Sequence, residues 1–169
     1  MINEANIYKD VSKRLYDMMT ERFKSEFKMF YLGAPSFLPP EEYLPCMVIH
    51  KASNDVSVEA TGMDQMVETI LINLIYSEKA DFNNPDSQFQ DTTLRKVHNL
   101  VEARDPDTNE WLTGTIMDAV RTNFTLESST LGNTVAIDYD VTPRPDAPTI
   151  LEAVISLTVT SLVEVPGRE

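Results

Sequence analysis

The run ILEAVISLTVTSLVEV, residues 150–165, decides the fold. Leu151, Ala153, Ile155, Leu157, Val159, Ser161, Val163 and Val165 make one alternate set, apolar or small throughout. The other set, Glu152, Val154, Ser156, Thr158, Thr160, Leu162 and Glu164, is rich in hydroxyls and carboxylates. Successive strand side chains point to opposite faces, so this pattern predicts a long β-strand with one face on a core. Residues 134–141 repeat it, with Val135, Ile137, Tyr139 and Val141 set against Ala136, Asp138 and Asp140. Between the two runs, 142–149 holds Pro143, Pro145 and Pro148, which predicts a hairpin with a long connection.

Upstream of this hairpin the period changes to that of helices. Ser87 and Gln90 have capping-box spacing and predict a helix through about residue 103, with Leu94, Val97, Leu100 and Val101 as its apolar stripe. Asp105-Pro106-Asp107 ends it, and Asn109 is placed to cap a shorter helix containing Trp111, Leu112, Ile116, Met117 and Val120. Residues 77–87 read as a polar loop. Residues 66–76, MVETILINLIY, put apolar side chains on both faces and predict a central strand. Before it, 46–53 and 56–60 read as strands, with Asn54-Asp55 as a turn between them. Residues 33–45, GAPSFLPPEEYLP, carry four prolines that interrupt any strand starting at 27–32. That stretch exposes Phe37, Leu38 and Tyr43, either as an arm on another subunit or as a loop folded over its own core. Ile7, Val11, Leu15, Met18 or Met19, and Phe23 predict an amphipathic N-terminal helix. Residues 166–169 read as a frayed tail.

The expected architecture is one α+β domain spanning 1–169. Its sheet is mainly antiparallel, with the N-terminal helix and the helical pair packed on one face. If all helices lie there, something else must cover the other face, and a neighbouring subunit is the simplest cover.

The bulk composition narrows the function classes. A formal net charge of −13 opposes affinity for nucleic acid, which comes chiefly from Lys and Arg neutralising phosphates. No run reaches the ~20 apolar residues of a membrane-spanning helix. Residues 1–10 lack the basic-then-apolar pattern of a secretory signal, and one cysteine, Cys46, cannot form an internal disulfide.

Chemistry was sought in several patterns. Asp105, Asp107 and Asn109 imitate the start of a calcium loop, but Glu110 stands where the turn needs Gly and Ile116 where a bidentate Glu belongs. His50 and His98 are the only histidines, and Cys46 with His50 supplies too few ligands for zinc. No nucleophile-elbow, Cys-His or H-E-x-x-H pattern occurs, and five glycines leave no phosphate-binding loop. The expectation is a non-enzyme without cofactor or metal.

The order of elements resembles a known family. The N-terminal helix, the Pro-rich segment, PCMVIHKAS (45–53), MDQMVETILINLIYSE (63–78), the helical pair, and the closing NTVAIDYDV (133–141) and ILEAVISLTVTSLVEV are similar to tail terminator (tail completion) proteins of tailed bacteriophages. The resemblance implies a structural ring subunit, usually a hexamer, that terminates the tail tube and offers the head-docking surface. It also implies a virion location assembled in the host cytoplasm, contact with the tail tube protein and the head–tail connector protein, and DNA passing through the lumen without specific binding. Asp138, Asp140, Glu152 and Glu164 are then candidates for the lumen or the non-core sheet face. Phe37, Leu38 and Tyr43 are candidates for subunit contacts. Another neck or head–tail connector (head completion) protein is the alternative, and a small ligand-binding or enzymatic α+β domain is the reading from a different class.

Overall fold

Period-2 burial builds the centre of the molecule. In the computed structural model, which describes residues 11–36, 39–60, 62–79, 81, 92–123, 125–126, 129–144 and 147–165, strand β6 runs Ala147–Glu164. Its Leu151, Ala153, Ile155, Leu157 and Val159 are fully buried, as their alternation predicts. Beyond Val159 the pattern continues but the cover ends, and Val163 is exposed.

The elements in chain order are helix α1 (Val11–Phe23), strands β1 (Met29–Leu32), β2 (Cys46–Ala60) and β3 (Met63–Ser77), helices α2 (Thr93–Glu102) and α3 (Ile116–Thr122), then β4 (Thr125–Leu126), β5 (Ser129–Arg144) and β6. The fold is α+β. One six-stranded sheet has the order β1-β2-β3-β6-β5-β4, antiparallel except for the β1–β2 pair. The last strand therefore lies in the middle of the sheet, between β3 and β5.

All three helices pack on one face. Leu15, Met19 and Phe23 of α1, Val97 and Val101 of α2, and Ile116, Ala119 and Val120 of α3 share one buried cluster with Met47, Ile49, Ile70, Ile72, Leu74 and the odd-numbered set of β6. Aromatic rings close its lower end, where Phe27 meets Phe30 and Tyr76 edge-on at 5.8 Å in each case. At its upper margin Glu68, only 2% exposed, is paired with Lys51. A buried carboxylate needs such a partner, because desolvation alone would cost several kcal/mol, roughly.

Several boundaries differ from those read in the sequence, each for a local reason. Strand β2 passes straight through Asn54-Asp55; the chain reverses instead between the paired Ala60 and Met63, where Gly62 takes a φ of 78°. A register shift between Lys51 and Ser53 absorbs the irregularity within β2. The β5–β6 connection is two residues rather than eight, since Arg144 pairs with Ala147. Pro143 falls within the register shift between Thr142 and Arg144, an irregularity at which a strand tolerates proline.

Helix α2 starts at Thr93, six residues after the proposed cap. The Thr92 hydroxyl accepts from the Arg95 N–H (3.3 Å), and the Asp81 carboxylate accepts from the Thr93 N–H (2.9 and 3.1 Å) and the Thr93 hydroxyl. Ser87, Gln90 and most of the 77–87 loop lie outside the described residues. Asn109 does not cap α3; it sits at φ 61° in the loop, and Thr115 caps the helix by accepting from the Asp118 N–H at 3.1 Å. Trp111 is consequently in no helix and bridges to Arg104 across the loop.

Candidate functional site: the bare face of the sheet

The face opposite the helices collects the residues singled out by charge. Strand pairing sets them in rows. Cys46, Ile75, Glu152 and Asp140 lie side by side, followed by Val48, Asn73, Val154 and Asp138, then His50, Leu71, Ser156 and Ala136. Asp138, Asp140 and Glu152 thus form one carboxylate patch across β5 and β6. Glu164 shares the face but pairs with Met63 at the far end, twelve residues along β6, or roughly 40 Å at ~3.3 Å per residue. Three of the four candidates come together and the fourth does not.

The Pro-rich segment covers the lower corner of this face. Leu44 is buried with Cys46, Val48, Ile75 and Ile150, and Met29 and Tyr31 pack against them. Glu41–Tyr43 forms a single turn of 3₁₀-helix, and the Leu44–Pro45 peptide bond is cis. Of the two readings left open for 33–45, its described part follows the loop folded over its own sheet. Tyr43 remains exposed at the rim; Phe37 and Leu38 lie outside the described residues.

A cleft of about 290 Å³ runs between Ala34, Pro35, Ser36 and Pro39 on one side and Val48, Asn73, Ile75 and Glu152 on the other. The Asn73 amide donates to Glu152 Oε1 at 2.8 Å, while its own buried Oδ1 has no hydrogen-bond partner among the described residues. Beside them, burial first and the Glu152 carboxylate second push the Cys46 thiol up to about 11. A thiol so raised is a packing group and a poor nucleophile at neutral pH. Asn73 was missed in the sequence, yet its signal is there: it is the polar side chain inside the apolar run ILINLIY.

The remainder of the bare face is half-apolar and flat, with Val67, Thr69, Leu71, Val154, Ser156, Thr158 and Thr160 all partly exposed. Towards the β2–β3 turn the cover fails on both sides of the sheet. Val56 and Val58 are 58% and 66% exposed on the helix side, and Leu162 is 54% exposed on the bare side.

The other features examined for chemistry are structural. Asp105 turns its own loop, its Oδ1 accepting from the N–H groups of Asp107 (2.8 Å) and Thr108 (2.9 Å), and these bonds lower its pKa. His98 meets Tyr139 edge-on at 4.2 Å, and the Tyr139 hydroxyl donates to Glu102 at 2.9 Å. Burial, and then that carboxylate, raise the tyrosine's pKa. A hollow of about 450 Å³ between α1 and α3, lined by Arg22, Phe23, Thr113, Gly114, Asp118 and Thr122, has its carboxylate engaged by the Gly114 N–H at 3.2 Å. Among the described residues no cluster of His, Cys, Asp and Glu could hold a metal ion, and no helix is long and apolar enough to cross a membrane.

No family model matches the chain. No curated protein matches it either.

Proposed function

We propose that this chain is a structural ring subunit of a bacteriophage neck, one that terminates the tail tube and presents the surface to which the head docks. The observation that carries the reading is the one-sided sheet. Its helices and main core lie on one face, while beyond the corner covered by the Pro-rich segment a broad, half-apolar face and the ends of four long strands are left for a neighbour. A chain whose work is assembly needs such surfaces and no pocket chemistry. The order of elements resembles tail terminators over nearly the whole length, and the net charge of −13 suits a channel wall along which DNA slides without binding. The partners in this reading are further copies of the chain, six closing a ring, with the tail tube protein on one side and the head–tail connector protein on the other.

Light scattering of the purified protein, with negative-stain microscopy, tests it. Rings, alone or on added tail tubes, are the expected result. A strict monomer that ignores tail tubes would sink the proposal. The alternative station in the neck, head completion, predicts that rings cap isolated connectors and leave tube ends bare.

A further inference from the structure

Two patches of opposite sign lie on opposite sides of this molecule. On the bare face Asp138 and Asp140 are exposed, Glu152 lies beside them, and no described Lys or Arg side chain of the four long strands points there. On the opposite side, the outward surface of α2 presents Arg95, Lys96 and Asn99, all exposed, while Val97 and Val101 face the core. Its one acidic residue, Glu102, is occupied by the Tyr139 hydroxyl. Among the described residues Asp138, Asp140, Arg95 and Lys96 have no ion-pair partner.

Building on the ring-subunit reading, we propose that the bare sheet face of one copy docks on the outward surface of the helical layer of the next copy, Asp138 and Asp140 meeting Arg95 and Lys96. Three observations select this occupant. Back-to-back pairing of two bare faces would press like carboxylates together, a juxtaposition that interfaces avoid. On the helical layer, α2 offers the opposite sign at Arg95 and Lys96. The central rows carry Ser156, Thr158, Thr160 and Thr69, short side chains that let a helix approach closely. The area is of the right order: four strands ~4.8 Å apart and about ten residues long give ~20 Å by ~35 Å, or ~700 Å², before the rim is counted. A stable interface takes ~800 Å² from each partner.

The two surfaces lie on opposite sides of one chain, so the contact is head-to-tail. Such a contact cannot close as a two-fold dimer; it propagates until a ring shuts or a filament grows. The carboxylate patch is accordingly buried between subunits rather than turned to a channel.

Charge reversal on each side tests this, with association followed by analytical ultracentrifugation at two salt concentrations. The Asp138→Lys, Asp140→Lys chain and the Arg95→Glu, Lys96→Glu chain should each self-associate at least ~10-fold more weakly than the parent. An equimolar mixture of the two should assemble again, as should a single chain carrying all four substitutions. Circular dichroism and cooperative melting establish that each variant is folded; if a reversal prevents folding, Asp138→Asn with Asp140→Asn replaces it, with a smaller weakening expected. A parent that assembles but is indifferent to either reversal overturns the docking proposal and leaves the ring reading standing. Folded single reversals that dissociate while the four-fold chain stays dissociated overturn it as well. A mixture that stops at dimers points to sheet-to-sheet contact, and a monomeric parent removes both proposals.

Discussion

Cys46 shows how one side chain reports its surroundings. It is fully buried against Leu44, Val48 and Ile75, with Glu152 as its strand neighbour's partner in the same row. Its pKa rises from 9.0 to about 11, so the folded protein holds the thiol protonated where an unfolded chain would begin to ionise. The sign follows: the folded state gains from this group fully below pH 9 and loses that gain as pH climbs towards 11. Iodoacetamide at pH 8.5 should therefore leave the native thiol almost unlabelled, with labelling complete in urea, and Cys46→Ser should flatten the alkaline fall in stability. Rapid labelling of the native protein would mean that the corner under the Pro-rich segment opens. In the sequence Cys46 was legible only as a lone cysteine; its burial depends on Leu44 and the fold of 33–45, which no local pattern encodes.

Elements were legible where burial imposes a period and obscure where a turn decides. The alternation of β6 and the stripe of α1 follow from one-sided burial; the first holds from Leu151 to Val159 and the second at Val11, Leu15, Met19 and Phe23, Ile7 lying outside the described residues. Turns depend on one or two residues, and several candidates compete. Asn54-Asp55 has turn chemistry, but Gly62 accepts a positive φ at no steric cost and takes the reversal. Ser87 lies outside the described residues; Thr92 caps α2 two residues before its first apolar side chain, Leu94, and Asp81 reaches Thr93 from earlier in the chain. The candidate site was legible as a face and not as a constellation: alternation put Asp138, Asp140 and Glu152 on one side, whereas their adjacency required the β5–β6 register. That register has a cost. Asp140 and Glu152 are direct partners on neighbouring strands, and like charges so placed destabilise a sheet by roughly 0.2–1 kcal/mol. Asp140→Thr should raise the urea midpoint of the isolated subunit by that order, while Asp138→Thr, opposite Val154, should change it less. Equal effects from the two would place the repulsion elsewhere.

At the scale of the whole molecule, the position of β6 governs how the fold can come into being. Met63 pairs with Glu164 and Ser77 with Ile150, so the two central strands come from distant parts of the chain. Contacts of that range require closing a large loop before any reward is gained, and folding slows accordingly. Refolding from urea should take milliseconds to seconds by stopped-flow fluorescence of Trp111, as for other sheets dominated by non-local pairing. A microsecond phase carrying the full amplitude would contradict that expectation. During synthesis the consequence is sharper. Until β6 leaves the ribosome, β3 and β5 each present an unpaired inner edge, and the helices have only half a platform. The nascent chain is then at its most adhesive while sibling chains are made nearby, and an intruding strand from a sibling could take the place reserved for its own last strand. Quality control for this protein is thus a matter of timing: it becomes safe to concentrate only after translation has passed Glu164.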